Sequence, residues 1–281
     1  MAITISAGIP QHWRRWLADA RHYQIASLGT LLAINLTWLD FGAKPAAVAV
    51  LVASCCLTQI VASRVVGIPV ELRSALITSF SLSLLLRTDE LCLYALAGVI
   101  AMATKFIIRI DGKHVFNPAT IAIVALIFGT DSAWVTPGQW GAELWFAALL
   151  GFLGIAVLQR ARRADVTFFF LAAHGGLLLA RALYLGDPLT IPLHQLQSGS
   201  LLLFAFFMIS DPKTIPDSRL GRLIFAVAVA GLAHYLAFFV QMRPALYVAL
   251  ALVALAVWPI DRLLPAPRHQ WVPALNPGGK T

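Results

Sequence analysis

Two polar clusters interrupt an apolar chain, and their side chains have the chemistry to hold an anionic ligand. The first is KFIIRIDGKHVFNPAT at 105–120, and the second is SDPKT at 210–214. Lysine ammonium groups can hold an anion, Asn and Thr can hydrogen-bond a polar ring, and Asp can fix a neighbouring lysine. The predicted ligand-binding residues are therefore Lys105, Lys113, Asn117, Thr120, Asp211, Lys213 and Thr214.

The first cluster also has a purely structural interpretation. Lys105 lies one turn inside a predicted transmembrane segment, where its side chain could extend to the interface or point at a buried anion. Asn117 and Pro118 form a normal helix start, with Asn as the cap and Pro in the first turn. Thr120 could bond a carbonyl of its own helix. The sequence leaves both interpretations open.

The composition predicts an all-α polytopic membrane protein. Of 281 residues, 59% are hydrophobic and only 12% are charged, whereas a soluble domain carries roughly 25% charged residues. Apolar stretches of about 20 residues recur, and each can cross a bilayer core. The net charge of +8 fits basic residues collected in cytoplasmic loops, so the predicted partner is the lipid bilayer and not nucleic acid.

Several chemistries are excluded by the motifs. The three cysteines form no CxxC pair, so the sequence predicts no metal site. No Walker loop, HExxH or GxSxG occurs, so no nucleotide hydrolysis or hydrolase chemistry is predicted, and whether the chain is an enzyme stays open. His174 and His234 lie within predicted spans, where they could ligate haem or bond backbone carbonyls.

Hydropathy predicts ten transmembrane helices, of which the third and eighth are short. The predicted spans are roughly 24–41, 45–63, 73–86, 90–108, 115–129, 140–159, 166–185, 198–210, 220–240 and 244–262. Of the 21 Lys and Arg residues, 16 fall on one side and four on the other, while Lys105 lies inside a span. This bias predicts a multi-pass protein of a bacterial-type inner membrane with both termini in the cytoplasm.

The chain divides into a membrane domain with two polar ends. Residues 1–23 form a predicted interfacial segment, residues 24–265 the membrane domain, and residues 266–281 a cytoplasmic tail. Within the domain, GIPVELRSALITSFSLSLLL at 67–86 resembles TIPLHQLQSGSLLLFAFFMI at 190–209, and NPATIAIVALI at 117–127 resembles RPALYVALALV at 243–253.

These matches predict an inverted repeat of five plus five helices. The offsets between the copies are 123 and 126 residues, and the repeats run over about 24–130 and 138–262. Because five spans separate the copies, the two halves have opposite topology. Folds of this kind place ligand sites near the midplane, at short or broken helices in matching positions.

The same stretches carry a family resemblance. GKHVFNPAT and FFMISDPKTIPDSRLGRLIF resemble signature segments of the NqrB/RnfD family, which unites the B subunit of sodium-translocating NADH:quinone oxidoreductase with the D subunit of the Rnf complex. The resemblance covers roughly 20–265. DARHYQIASLGTLL, QWGAELW and WPIDRLLPAPRHQW look closer to a single-subunit branch found beside enediyne biosynthesis genes.

The resemblance implies a membrane flavoprotein that passes electrons through a larger complex and couples this to ion movement. It implies an FMN bonded through phosphate to threonine and a second flavin, riboflavin. The attachment motif, Ser-Gly-Ala-Thr, is absent from the loop TDSAWVTPGQ at 130–139, whose threonines are Thr130 and Thr136. The sequence therefore argues against covalent FMN and favours noncovalent FMN or riboflavin, or a quinone.

Three functions remain open. The favoured one is an electron-transport subunit with noncovalent flavin or quinone, working with other membrane redox subunits. The alternative is a small-solute transporter or channel-like permease without a redox cofactor, which the inverted repeat also suits. The third is an assembly subunit with no site of its own.

Overall fold

The computed structural model describes residues 19–39, 42–135 and 144–269, and helices dominate them. The helices are α1 (Ala20–Ile34), α2 (Pro45–Val66), α3 (Leu72–Leu85), α4 (Leu91–Ile107), α5 (Pro118–Gly129), α6 (Leu144–Ala161), α7 (Ala164–Leu185), α8 (Thr190–Leu196), α9 (Gly199–Leu203), α10 (Arg219–Phe238), α11 (Ala245–Ala254) and α12 (Val257–Leu263). π-helical turns at Asn35–Leu39 and Phe204–Met208 extend α1 and α9.

Four two-residue strands join the helices in two antiparallel pairs. Strand β1 (Arg87–Thr88) pairs with β4 (Ala133–Trp134), and β2 (Arg109–Ile110) pairs with β3 (Lys113–His114). The β2–β3 hairpin lies between α4 and α5, and it therefore carries the middle of the first polar cluster.

Three to five of the described helices can cross a membrane by length and composition. The helices α2, α7 and α10 are single candidate spans of 22, 22 and 20 residues. Two further candidates are helix pairs bent by 46°, α8 with the segment Gly199–Met208 and α11 with α12. Shorter apolar helices, α3 to α6, complete the set, so the chain is a helical, multi-pass membrane protein.

Each of the ten predicted spans coincides with a helix or a bent pair, but ten crossings and the inverted repeat stay predictions. The third predicted span matches α3, which has 14 residues. The eighth predicted span matches α9 and its π-helical extension, but a separate helix, α8, precedes it and is divided from it by a break at Gln197–Ser198. The predicted interfacial segment up to residue 18, the tail from residue 270 and Thr136 lie outside the described residues.

Small residues let α2 and α4 approach closely. A side chain on Gly98 of α4 would collide with Ser54 and with the backbone of Cys55 on α2. Glycine at such a contact permits the van der Waals packing that holds helices together in lipid. In the second half, α7 and α10 also pack against each other.

Replacing Gly98 with alanine is expected to lower the stability of the purified protein. The added methyl group would overlap the Ser54 side chain and lie tightly against the backbone nitrogen of Cys55, and overpacking of this kind costs about 1–3 kcal/mol. The measurement is the midpoint of thermal unfolding in detergent. The control is Gly231→Ala in α10, where nothing lies within 4 Å of the new atom. Equal midpoints for the two variants would contradict close packing at Gly98.

The short helix α3 ends against a buried arginine. Arg87 is 6% exposed, and its guanidinium donates to the carbonyl oxygens of Ser83 at 2.9 Å, Leu86 at 2.7 Å and Leu84 at 3.3 Å. The carbonyl oxygens at the end of a helix have no N–H partner within that helix, and lipid offers no hydrogen-bond donor to them. Arg87 therefore closes the end of α3 inside the protein.

Candidate functional site

A cavity of about 250 Å³ brings the two polar clusters together. It lies between α2, α3 and α4, the start of α5, and the turn that follows Phe204–Met208. We call it the Lys105 cavity. Its polar and charged lining residues are Arg21, Gln24, Gln59, Glu71, Ser74, Thr78, Ser81, Lys105, Arg109, His114, Asn117, Asp211 and Lys213.

Lys105 occupies one wall, and both of its hydrogen-bond partners are neutral. Its Nζ donates to Gln59 Oε1 on α2 and to Ser74 Oγ on α3, each at 2.9 Å. Among the described residues, no carboxylate oxygen lies within 4.0 Å of this nitrogen. A half-buried ammonium group that has no carboxylate in direct contact is a favourable partner for an anion or for an electron-rich ring edge.

Asn117 and Asp211 form the opposite wall and join the two halves of the chain. Asn117 Nδ2 donates to Asp211 Oδ2 at 3.4 Å, while Asp211 Oδ1 accepts the backbone N–H of Lys213 at 3.1 Å. Burial raises the pKa of the Asp211 carboxyl, against the opposing effects of the Lys213 N–H and the Lys105 charge. The Lys213 side chain lines the same cavity.

Three predicted residues lie elsewhere. Lys113 forms ion pairs with Asp217 at 3.1 Å and Asp261 at 2.7 Å, and it lines a neighbouring cavity. Thr120 is fully buried, and its N–H and hydroxyl both donate to Asn117 Oδ1 in a helix cap. Thr214 is 3% exposed, and its hydroxyl donates to the backbone oxygen of Asp211. In this arrangement these three side chains hold the walls in place.

Several lining residues were not predicted, and two of them have a recognisable sequence signal. Gln59 is a single amide within the apolar helix α2, and polar residues at such positions usually serve a function or an interhelical bond. His114 lies in the HVFNP segment beside Lys113. Burial and the charges of Lys105 and Arg109 lower the pKa of His114 to about 4, so its ring is neutral at pH 7.

The cavity has an excess of positive charge. Four cationic side chains line it against two acidic ones, and the cations are Arg21, Lys105, Arg109 and Lys213. Neutral donors and acceptors are also present, since Gln59, Ser74 and Asn117 face the same space. This donor set can bind a ligand that carries a negative charge and hydrogen-bonding polar groups. Among the described residues, no group of three metal-ligating side chains occurs.

An ion-pair cluster holds one edge of the cavity. Asp19, 1% exposed, accepts from Arg21 and from Arg73 at 2.7 Å each, and Glu71 pairs with the same two arginines. The cluster joins the starts of α1 and α3. Burial alone would raise the pKa of Asp19, but hydrogen bonds from Arg21 and the charges of Arg21 and Arg73 outweigh it, and the pKa is lowered.

Acid is expected to destabilise the protein through this cluster. Because the folded-state pKa of Asp19 is lowered, its contribution is complete above the unfolded value near 4 and is lost as the pH falls below about 4. Asp19→Asn should lower the thermal midpoint at pH 7, with a loss of about 1–3 kcal/mol, and should make its fall between about pH 5 and 3 shallower. Part of the fall in the thermal midpoint should remain in this variant, because the pKa of Glu71 is also lowered and Glu71 still titrates in this pH range.

The control for this experiment is Asp89→Asn, because Asp89 forms an ion pair with Lys44 at 3.5 Å but its side chain is 82% exposed. Exposed pairs contribute little, so this variant should follow the wild-type curve. An acid response that is identical in Asp19→Asn and in the wild type would show that the cluster does not carry the pH dependence.

The comparisons with known proteins point to one family. No curated protein matches the chain. A family model described as the NQR2, RnfD, RnfE family matches residues 131–269, which include Asp211, Lys213 and the helices from α6 to α12. Over residues 131–269, the chain belongs to the NQR2, RnfD, RnfE family.

Proposed function

We propose that the chain is the membrane subunit of an electron-transport system and that it binds a noncovalent flavin, FMN or riboflavin, in the Lys105 cavity. Family membership supports a membrane subunit of an electron-transport complex. The observation that supports the flavin assignment is the half-buried Lys105 ammonium, whose hydrogen-bond partners are both neutral and which faces a cavity lined by four cationic and two acidic side chains.

Different residues of the cavity would contact different parts of the flavin. Lys105 and Lys213 would hold the phosphate or a negatively charged ring edge, and Asn117 and Gln59 would hydrogen-bond ring carbonyls. Asp211 would act as a positioning residue, since it already bonds both Asn117 and the backbone of Lys213. When bound, the flavin would accept electrons and pass them on.

The expected setting is a bacterial-type inner membrane, with the Lys105 cavity open to the cytoplasm. The side assignment follows from the distribution of Lys and Arg, and it places both termini in the cytoplasm. On that assignment, electrons would enter or leave the cavity through other membrane redox subunits or a quinone. Correspondence between the two halves supports a five-plus-five inverted repeat, since α2 packs on α4 as α7 packs on α10.

Thr130, one of the two threonines in the loop after α5, supports the absence of a covalent flavin. Its side-chain hydroxyl donates to the backbone oxygen of Leu126 at 2.8 Å and caps α5. A hydroxyl used in this way is a structural group, so the flavin is proposed to be held without a covalent bond.

A flavin titration tests the proposal. The protein is reconstituted in lipid nanodiscs and riboflavin or FMN is added while flavin fluorescence is recorded. We expect saturable quenching, and we expect FMN to bind more tightly than riboflavin if the phosphate reaches Lys213 or Arg109. Fluorescence that changes no more than with empty nanodiscs would refute flavin binding.

The second candidate is a small-solute permease. One specific observation favours it: the Lys105 cavity is lined by residues of both halves, such as Asn117 and Asp211. Alternating access between paired repeats requires sites near their junction. Flux of small solutes into liposomes, together with no flavin binding, would support this function over electron transport.

A further inference from the structure

We propose that the turn of the β2–β3 hairpin and the helix α12 form a binding site for the headgroup of an anionic phospholipid. Three exposed arginines, Arg109, Arg262 and Arg268, converge on this turn, and we call them the arginine rim. The proposal does not depend on flavin binding, although Arg109 also lines the Lys105 cavity.

Two of the arginines bond the backbone of the hairpin turn. Arg268 Nη1 donates to the backbone oxygen of Asp111 at 2.6 Å, and Arg109 Nη2 donates to the backbone oxygen of Gly112 at 3.0 Å. Both side chains are exposed, and a guanidinium has five N–H donors, so donors remain for a ligand.

The third arginine, Arg262, reaches the same turn through Trp258. Its guanidinium lies over the Trp258 ring, 4.0 Å from the ring centroid, and Trp258 Nε1 donates to Asp111 Oδ2 at 3.0 Å. A guanidinium that stacks through its face keeps its N–H edge for bidentate bonds to a phosphate. The three guanidinium groups therefore surround one turn with their donors.

The charge balance of the rim favours an anion. Among the described residues, no carboxylate oxygen lies within 4.0 Å of the guanidinium nitrogens of these three arginines. The carboxylate of the turn, Asp111, already accepts from Trp258. Asp217 and Asp261, which line the cavity beside the rim, share the ammonium of Lys113. The rim thus presents three cationic groups against one carboxylate.

Apolar side chains lie directly beside the rim. Arg262 and Arg268 line a cavity of about 160 Å³ between the hairpin and α12, together with the apolar side chains of Ile110, Leu255 and Trp258. A ligand held by these arginines therefore also contacts apolar surface.

The same alternation continues outside the cavity. Ile107 and Ile108 precede Arg109, and Leu263 follows Arg262. Ile107 is 78% exposed and Leu263 is 80% exposed. Cationic and apolar side chains thus alternate on both elements of the site, which is typical of surfaces at the boundary between lipid and water.

This combination favours a phospholipid over an acidic protein segment or a free phosphate. In a phospholipid the phosphate lies at the head of the acyl chains, so its site needs cationic donors and apolar surface side by side. The rim also lies where two apolar elements of the membrane domain end, α4 at Ile107 and the bent pair of α11 and α12 at Leu263. A headgroup with a net negative charge gains most from three guanidinium groups that have no carboxylate partner.

A lipid titration of the delipidated, full-length protein in detergent tests the proposal. The thermal midpoint is recorded while phosphatidylglycerol, or phosphatidylcholine with the same acyl chains, is added. We expect phosphatidylglycerol to raise the midpoint saturably and phosphatidylcholine to raise it much less, because a ligand stabilises the folded state that binds it. Equal effects of the two lipids would overturn the proposal, since they would show no selection for negative charge.

A double variant locates the effect. Arg262→Met combined with Arg268→Met removes two charges of the rim, and half-maximal stabilisation should then need about 10- to 30-fold more phosphatidylglycerol. The matched control combines Arg64→Met with Arg219→Met, which removes two exposed arginines from the end of α2 and the start of α10. A control that weakens the response as much would reduce the effect to net charge and overturn the site.

Fluorescence quenching by brominated lipids decides if the double variant does not fold. Trp258→Phe keeps an aromatic ring beneath Arg262, and the difference between its fluorescence and that of the wild type isolates the signal of Trp258. Brominated phosphatidylglycerol should quench this signal more strongly than brominated phosphatidylcholine. Equal quenching by the two lipids would overturn the assignment.

Soluble anions distinguish the other sources of negative charge. Inorganic phosphate, or a short peptide of glutamate, should leave the thermal midpoint unchanged at the concentration at which phosphatidylglycerol saturates its effect. Stabilisation by phosphate would indicate a site for a free anion, and stabilisation by the peptide would indicate an acidic protein partner, so either result would overturn the lipid assignment. Lys105→Met should respond to phosphatidylglycerol like the wild type, which separates this site from the flavin site.

Discussion

Lys105→Met is expected to weaken flavin binding about 10- to 100-fold, because it removes a charge-assisted contact from an enclosed site. Methionine keeps the length and apolar stem of lysine, so the helix α4 should pack as before. Gln59 and Ser74, which now accept from Lys105 Nζ, would lose that partner. The measurement is flavin fluorescence quenching in nanodiscs, with the thermal midpoint recorded for each protein.

The matched control is Lys44→Met, since Lys44 is 61% exposed and forms only an exposed ion pair with Asp89. Lys213→Met should have a smaller effect than Lys105→Met, because the Lys213 ammonium already donates to the backbone oxygen of His269 at 3.2 Å. Unchanged flavin binding in both Lys105→Met and Lys213→Met would remove the proposed site from this cavity.

Arg87→Met is expected to be the most destabilising single change, with a loss of about 3–5 kcal/mol of folding free energy. Arg87 donates to three carbonyl oxygens at the end of α3, and methionine would leave these buried acceptors without the bonds. The measurement is the yield of monodisperse protein and its thermal midpoint in detergent.

Arg64→Met is the control, because Arg64 is exposed in the last turn of α2. Its loss should leave the thermal midpoint nearly unchanged. A stable Arg87→Met variant would mean that the end of α3 is satisfied by other groups, and it would contradict the role assigned to Arg87.

The positions of the helices could be predicted well, because long apolar stretches carry a strong signal. The predicted third span at 73–86 matches α3 at Leu72–Leu85, and Asn117-Pro118 starts α5 with the predicted cap. The helix α8 was not predicted, since its seven residues, Thr190–Leu196, are too few to form a recognisable apolar stretch.

The site could be predicted only in part. Lys105, Asn117, Asp211 and Lys213 line one cavity, as their charges and the paired halves suggested. Lys113 does not, because Asp217 and Asp261 reach it from 104 and 148 residues away. Contacts between residues so far apart in the chain cannot be recognised from a local pattern in a single sequence. Charge and motif position thus identified the cluster but could not separate residues that face the cavity from residues that brace it.

The absorption spectrum of the detergent-purified protein, recorded before and after acid precipitation, tests the central claim most directly. The protein is expressed and purified with riboflavin and FMN supplied. The account predicts a flavin band in the folded protein that moves entirely to the supernatant after precipitation. A flavin that stays in the pellet would contradict noncovalent binding, and a colourless protein would contradict flavin binding itself.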